Sequence, residues 1–345
     1  MARLIDIANE VGVSRSAAAR VLLGTGQGSI RVSEGTRDRI LQAAQRLGYR
    51  PNPHARGLKG RATSVLGIVV PYFFSMLDPI EKLSAEAGYS VQITAHHGKL
   101  EDFKNALSNL LLHRPDGILL IAPLPEAFDA VKEIAPTTPM VIVGNHPIPQ
   151  LDSFVTPLQE GTRLATEYLI QLGHRRIAYA CTSAKTFDHP TTRMRYEGFR
   201  EALQNHGIAF KPDMMLPLFQ GNDEGKKTQH GDRTIANVVA SWTPDNRPTA
   251  LLANADDVAG GMMVALERSG YAVPEDISVM GMMNLNIGPY LRKPLTTVDW
   301  QLDEFRIAAM SRLLERVRKP DLDPIMSVSV PRIIERDSCA PPKCQ

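Results

Sequence analysis

The 345-residue chain is 43% hydrophobic and 22% charged, which is an ordinary globular composition and excludes global disorder. Its net charge of +2 hides an asymmetry, because residues 1–61 carry 11 Lys and Arg against 4 Asp and Glu, whereas the rest of the chain is net negative. The asymmetry indicates that the N-terminal part meets a polyanion, although a solvated basic surface would give the same excess.

The first 49 residues carry only helix signals. One helical face is indicated by apolar residues at the spacing i, i+3, i+4, i+7, namely Leu4, Ile7, Ala8 and Val11. Gly12 permits a sharp reversal of the chain, and Ser14 can cap a second helix. A third helix is expected after Ser33, with its end at Leu47 and Gly48. Three short helices with a tight turn between the first two predict a helix-turn-helix unit.

Residues 50–61 connect this unit to the first predicted strand. Asn52 is a good N-cap and Pro53 suits the first helical position, so residues 53–59 can form about two helical turns. Isolated helices shorter than about 12 residues are marginal in water, so this helix should fray until a partner holds it. A charged linker is the alternative interpretation.

Beyond Thr63, short apolar runs alternate with amphipathic stretches. The predicted strands span residues 65–70, 89–95, 117–122, 140–144, 176–181, 249–254 and 277–282. The predicted helices span residues 77–87, 103–113, 161–172, 193–205, 234–241 and 259–269. Apolar strands interleaved with helices are typical of parallel sheets covered on both faces, and the chain length favours two sheets. The expected fold class is therefore an N-terminal all-α helix-turn-helix headpiece followed by an α/β core of two doubly wound parallel-sheet lobes.

Cysteine usage and apolar run lengths exclude further classes of protein. Three cysteines without metal-ligand spacing favour neither a disulfide framework nor a zinc site. No signal-peptide pattern is present, and the longest apolar stretches fall far short of the roughly 20 residues that span a membrane. We expect a soluble cytoplasmic protein that has no membrane partner, no metal and no cofactor.

Several segments, in this order along the chain, resemble the lactose/galactose repressor (LacI/GalR) family. The N-terminal segments are LIDIANEVGVSRSAAARVL and VSEGTRDRILQAAQRLGYRPNPHARGL. The later segments are LGHRRIAYA, RMRYEGFREAL, ANADDVAGG, VPEDISVMG, PLTTVDW and IIERDSCAPP. The resemblance covers nearly the whole chain and implies a periplasmic-binding-protein-like core. The implied divisions are a headpiece of residues 1–49, a hinge of 50–61, a first lobe of 62–160 plus about 290–325, and a second lobe of 161–289 plus about 326–340.

The resemblance implies that the headpiece binds double-stranded operator DNA. The implied contact residues are Leu4, Arg15, Ser16 and Arg20 in the headpiece and Asn52, Ala55, Arg56, Leu58 and Lys59 in the hinge. Arg15 suits bidentate recognition of guanine, although a phosphate contact is an equal alternative. Leu58 would insert between base pairs in the minor groove. Paired half-sites on the DNA demand two-fold symmetry, so a homodimer is expected.

The cleft between the lobes is implied to bind a small-molecule effector, since ligands of open α/β sheets lie at the carboxyl ends of strands. The candidate residues are Phe73, His96, Asn145, Arg195, Asp256, Met283 and Trp300. Family effectors are mostly sugars and sometimes nucleobases, and a carbohydrate or carbohydrate derivative is the expected effector here. Met283, however, stands where the family has a carboxylate, and Trp300 where a glutamine is common. Both residues could instead belong to the core.

These features predict a sequence-specific transcriptional regulator, and in particular a repressor that binds a pseudo-palindromic operator under effector control. An enzyme is not expected, because no catalytic set is visible; His96 and His97, for example, point to opposite faces of a strand. A DNA-binding regulator that senses no small molecule and a solute-binding protein are the alternatives.

Overall fold

The computed structural model of the chain describes residues 2–23, 32–49, 62–71, 77–183, 190–219, 236–243 and 246–343. Two compact units are present, the first formed by residues 1–65 with 113–116 and the second by residues 66–112 with 117–345. Six of the predicted site residues lie outside the described ranges: Asn52, Ala55, Arg56, Leu58, Lys59 and Phe73.

The first unit contains the three predicted helices, α1 (Leu4–Val11), α2 (Arg15–Leu23) and α3 (Glu34–Arg46). Gly12 ends α1 with φ of 71°, a left-handed conformation that glycine adopts without strain. The Ser14 hydroxyl accepts a hydrogen bond from the Ala17 amide at 3.1 Å, which caps α2. Ser33 caps α3 in the same way. The predicted helix-turn-helix is confirmed.

A small apolar core holds these helices together. Ile7 from α1 and Ile40 from α3 are fully buried, and Ala43 and Ala44 pack beside them. Val21 and Leu22 of α2 cover the cluster from a third side. The apolar faces of all three helices therefore meet in one cluster.

The second unit contains two six-stranded sheets, each with helices against it. The strands are β1 (Val65–Val70), β2 (Ser90–Ala95), β3 (Gly117–Ile121), β4 (Met140–Gly144), β5 (Asp152–Val155), β6 (Ile177–Ser183), β7 (Met215–Phe219), β8 (Ala250–Ala253), β9 (Ser278–Met282), β10 (Thr296–Asp299), β11 (Met326–Val328) and β12 (Arg332–Ile334). The helices are α4 (Asp78–Glu86), α5 (Leu100–Leu111), α6 (Ala127–Ile134), α7 (Leu158–Gln171), α8 (Pro190–Asn205), α9 (Asp256–Arg268) and α10 (Leu302–Arg318). All seven predicted strands are present, with ends within two residues of those expected.

The strand order defines two lobes. The first-lobe sheet has the order β11-β5-β4-β3-β1-β2, and the second-lobe sheet has the order β12-β10-β9-β8-β6-β7. In the first-lobe sheet, the pairs β1–β3, β3–β4, β4–β5 and β5–β11 are parallel. In the second-lobe sheet, β12 runs antiparallel to β10. The central strands β3, β4, β8 and β9 are buried along their whole length. The expected fold class is confirmed.

The chain crosses between the lobes at positions that differ from the predicted boundaries near residues 290 and 325. Thr296–Asp299 pairs with β9 in the second lobe, so the crossing lies close to residue 300. Met326–Val328 pairs with β5 in the first lobe, so the return crossing follows residue 328. Both strands are short, and β10 contains two buried threonines, which hid its strand character in the sequence.

A buried carboxylate fixes the segment that returns to the first lobe. Asp152 is fully buried and accepts hydrogen bonds from Nε of Arg312 at 3.1 Å and Nε of Arg316 at 2.5 Å. The Ile325 amide donates to the same carboxylate at 2.8 Å. Burial opposes ionisation, but the hydrogen bonds from Arg316, Ile325 and Arg312 outweigh it and hold the pKa of Asp152 below its usual value. The ion cluster thereby joins α10, β5 and the start of β11.

Candidate DNA-binding helix and ligand cavity

Helix α2 is the candidate for DNA recognition, and one of its sides is buried. Ala17 and Ala18 pack into the headpiece core, whereas Arg15 and Ser16 at the helix start are exposed. The unpaired N–H groups and the dipole at a helix start attract phosphate, and side chains there can reach base edges. Arg15 and Ser16 therefore lie where a duplex can contact them.

Two other headpiece cations, Arg46 and Arg39, already have partners within the headpiece. Arg46 forms an ion pair with Glu10, and Arg39 donates a hydrogen bond to the Val11 carbonyl at 3.0 Å. Arg15 has no ion-pair partner among the residues that the structure describes. Its charge is consequently the one at the α2 start that is available to a polyanion.

The two remaining headpiece candidates are less accessible. Leu4 is the first residue of α1, Arg20 lies in the last turn of α2, and both are half-buried. The DNA contacts assigned to Leu4, Arg15, Ser16 and Arg20 stay predictions.

The second unit contains a cavity of about 320 Å³ at the strand ends of both sheets. Its lining includes five of the predicted effector residues: His96, Asn145, Arg195, Met283 and Trp300. Four of these directly follow the carboxyl ends of β2, β4, β9 and β10, and Arg195 lies in α8. The structure therefore brings together residues that are distant in sequence, at the kind of position where α/β proteins bind ligands.

The backbone at this cavity contains unusual conformations. Met283 has φ of 99° and Ala122 has φ of 46°, both in the left-handed region that non-glycine residues rarely adopt. Both residues line the cavity. Such conformations cost about 1–3 kcal/mol each and persist where the surrounding structure enforces them. Here they turn the chain sharply after β9 and β3 and so shape the cavity wall.

Arg195 and Trp300 form the part of the wall contributed by α8 and the end of β10. The Arg195 guanidinium carbon lies 5.6 Å from the Trp300 ring centroid, within the range of a cation–π contact. Trp300 is 1% exposed and also packs in the second-lobe core. It is therefore both a residue of the cavity wall and a residue of the core. Its indole covers Gly161, where a Cβ would overlap it. Burial lowers the pKa of Arg195, and its buried Nε has no hydrogen-bond partner among the described residues.

His96 is a neutral hydrogen-bond donor. The Gly98 amide donates to its Nδ1 at 3.2 Å, which assigns the ring proton to Nε2. The side chain is almost fully buried, and burial lowers the pKa of His96 against the opposing effect of the Ala122 carbonyl. The ring edge also contacts Phe103.

The amide of Asn145 is largely occupied by protein partners. Its Nδ2 donates to the sulfur of Met194 at 3.3 Å, and its Oδ1 lies 3.2 Å from Nδ1 of His146. Asn145 therefore shapes the cavity wall but offers a ligand few unpaired polar atoms.

Asp256, in contrast, does not line the cavity. Its buried carboxylate accepts hydrogen bonds from the Thr297 hydroxyl at 2.6 Å and from the Leu285 amide at 2.5 Å. Burial raises its pKa to about 6, although both hydrogen bonds oppose the shift. As the first residue of α9, Asp256 connects that helix to β10 and to the loop after β9. Its position fits a structural role in the second lobe.

The sequence analysis missed several lining residues, including Thr156, Thr191, Leu302 and Arg306. Arg306 is 7% exposed and lies one helical turn after Leu302, on the same face of α10. A prediction of α10 would have placed both residues next to Trp300.

Comparison with known proteins identifies the chain. Residues 3–52 match the bacterial regulatory proteins of the lacI family, and residues 166–339 match the periplasmic binding protein-like domain. The HTH-type transcriptional repressor PurR of Vibrio vulnificus (strain CMCP6) is 30% identical over 345 residues, covering 98% of each chain. The chain belongs to the lacI family of regulatory proteins.

Solved structures of this family have the same fold. The lac repressor dimer bound to operator and the anti-inducer ONPF gives a TM-score of 0.79 at 24% identity, covering 98% of this chain and 99% of that chain. A LacI family regulator from Lactobacillus casei with bound sucrose gives a TM-score of 0.66 at 29% identity, covering 80% of this chain and 99% of that chain.

The lacI-family membership confirms three predictions about the class of protein. The chain is a DNA-binding transcriptional regulator, it combines a helix-turn-helix headpiece with a periplasmic-binding-protein-like core, and it is not an enzyme. Within the described ranges, no helix has the length and apolar character needed to cross a membrane.

Proposed function

We propose that this lacI-family protein is a repressor that binds a pseudo-palindromic operator as a homodimer and that a small molecule in the cavity changes its operator affinity. The proposal rests on the combination, in one chain, of an exposed recognition-helix start with a ligand-sized cavity at strand ends. The similarity to PurR repressors and to the operator-bound lac repressor dimer supports the DNA partner and the two-fold assembly.

In this proposal the headpiece reads the major groove. Arg15 donates two hydrogen bonds to a guanine, Ser16 contacts a neighbouring base or phosphate, and Arg20 binds the backbone. Leu4 packs against the sugar-phosphate backbone. The hinge, residues 50–61, enters the minor groove, where Leu58 is the apolar wedge and the remaining hinge contacts come from Asn52, Ala55, Arg56 and Lys59.

The effector acts by favouring one arrangement of the two core lobes. Coupling free energies in allosteric proteins are about 1–3 kcal/mol, which changes affinity about 5- to 150-fold. The proposed effector class is a carbohydrate or carbohydrate derivative. The presence of sucrose in the L. casei regulator supports this class, and so does the aromatic wall at Trp300.

Selection of duplexes from a random pool, followed by titration at fixed salt, tests the proposal. We expect a two-fold symmetric site, and we expect Arg15→Ala to weaken it by about 1–3 kcal/mol and relax specificity at one position in each half-site. Arg37→Ala is the matched control, because Arg37 is an exposed headpiece cation on α3. Selection of no duplex over random competitor would contradict the proposal.

A further inference from the structure

The described charged side chains that line the cavity of the second unit are all positive. Its described lining contains two arginines, Arg195 and Arg306, together with the neutral His96, and none of these lining residues is an aspartate or glutamate. A carboxylate predicted to lie here, Asp256, is bound elsewhere, and the family carboxylate position holds Met283. Among the residues that the structure describes, the cavity lining is therefore electropositive and has no acidic counter-charge.

Arg306 is paired in a way that leaves its charge incompletely compensated. Its only ion pair among the described residues is with Asp303, at 2.9 Å, one turn earlier in α10. The Asp303 side chain is 60% exposed, whereas that of Arg306 is 9% exposed. Water screens an exposed carboxylate, so the pair stabilises the buried guanidinium weakly. Burial lowers the pKa of Arg306 despite the neighbouring carboxylate.

The other polar groups at the cavity are mainly donors. Nε of Arg195 and Nε2 of His96 are buried and have no hydrogen-bond partner within the described residues. The main side-chain acceptor, the Asn145 carbonyl oxygen, already lies beside His146. A buried donor without a partner costs about 1–3 kcal/mol, so a ligand that supplies acceptor atoms gains that free energy on binding.

Most of the remaining wall is apolar. It is formed by side chains from both lobes, including Ile121, Leu124, Val143, Leu158, Met283 and Leu302. These side chains offer burial to a carbon skeleton, and the hydroxyls of Thr156 and Thr191 supply the few further side-chain acceptors for hydroxyl hydrogens. A neutral hexose, whose hydroxyls need acceptors as well as donors, satisfies few of its hydrogen bonds here.

We propose that the effector is an organic acid whose carboxylate is bound by Arg195 and Arg306 and whose carbon skeleton lies against the apolar wall. A carboxylate only accepts hydrogen bonds, and its planar pair of oxygens matches a guanidinium fork. The inference rests on the proposed effector-controlled function and replaces the carbohydrate class by carboxylate-bearing compounds, of which sugar acids are one kind.

Matched pairs of compounds test this assignment on the full chain. The pairs are D-glucuronate with D-glucose and 4-hydroxybenzoate with 4-hydroxybenzyl alcohol, and a separate arm contains inorganic phosphate and glucose 6-phosphate. Each compound is titrated by thermal shift and then in operator binding. We expect the acid of at least one pair to raise the melting temperature and change operator affinity, with its neutral partner at least tenfold weaker.

Substitutions in α10 separate cavity chemistry from general charge. Arg306→Gln should weaken the acid about 10- to 100-fold, because a hydrogen bond to a charged group is lost, and Arg306→Lys should restore part of the affinity. Arg318→Gln removes the same charge from an exposed position of the same helix and should leave acid binding unchanged.

Several outcomes overturn the assignment. These are equal or stronger binding of the neutral compounds, a response confined to the phosphates, no response to any acid, or acid binding that is indifferent to Arg306→Gln. A protein that binds its selected operator but responds only to neutral sugars keeps the proposed function and loses this inference. A protein that binds acids through Arg306 but prefers no duplex would keep the acid-binding site and lose the proposed function.

Discussion

Replacing Asp152 by asparagine should strongly destabilise the core. The change keeps the side-chain shape but removes the negative charge that receives Arg312, Arg316 and the Ile325 amide. Both arginine side chains are only 12–13% exposed, so two guanidinium groups would face each other without their shared counter-charge. Removing one partner of a buried ion pair typically costs about 3–5 kcal/mol.

Urea and thermal unfolding of the full chain measure this cost. For a unit of this size the expected decrease in melting temperature is roughly 6–20 °C. Glu275→Gln is the matched control, because Glu275 pairs with Lys293 at 3.2 Å on the surface, where water and salt screen the pair. If Asp152→Asn costs no more than Glu275→Gln, the ion cluster does not stabilise the first lobe.

The same cluster predicts a dependence on pH. The pKa of Asp152 is held below its unfolded value of about 3.8, so the unfolded state takes up the proton first as the pH falls. The stabilisation is complete above that unfolded pKa and disappears as the pH falls through the lower folded pKa. Asp152→Asn should lack this component, which acid titrations of the wild type and variant compare directly.

Two further predictions concern buried contacts of the second lobe. Gly161→Ala should lower the free energy of unfolding by about 1–3 kcal/mol, because the new methyl group overlaps the buried Trp300 indole; an unchanged urea midpoint would contradict this packing. The buried His174 ring is hydrogen-bonded to Thr249, Ser278 and the Ala340 carbonyl. Burial lowers the pKa of His174 from 6.5, so the unfolded state takes up a proton first as the pH falls. The free energy of unfolding should therefore fall as the pH drops below about 6.5, by up to about 1.4 kcal/mol per pH unit. His174→Gln should have a shallower slope in that range, and equal slopes would argue against a neutral buried His174.

The long apolar strands were predictable because each combines continuous apolar character with flanking helices. The predicted starts of four helices were each three residues late, at 103, 161, 193 and 259, because the first turns lack the apolar period on which the predictions depend. In α9, for example, Asp256 and Asp257 occupy the first turn, where acidic residues favour the helix dipole. Periodicity therefore locates helix bodies better than helix starts.

One missed element, β10, has a burial that depends on distant parts of the chain. β10 contains buried Thr296 and Thr297, whose hydroxyls are satisfied by Arg336 and Asp256, contacts that no local pattern reveals. Asp256 was assigned to the cavity from its position after a predicted strand and from the family segment, but its carboxylate accepts hydrogen bonds from Thr297 and Leu285. The motif located Asp256 in the sequence correctly but did not predict which way its side chain points.

The cavity lining also explains how a ligand can influence the arrangement of the lobes. Two of the segments that cross between the lobes contribute to the lining. Thr156 lies between β5 and α7 and Leu158 is the first residue of α7, whereas Leu302 and Arg306 follow β10 in α10. Gln301, between these elements, has φ of 55°. A ligand shifts a conformational equilibrium only by its difference in binding free energy between the two states. Because these residues lie at or next to the crossing segments, a change in lobe orientation would alter the geometry of the cavity, which gives the proposed effector control a physical basis.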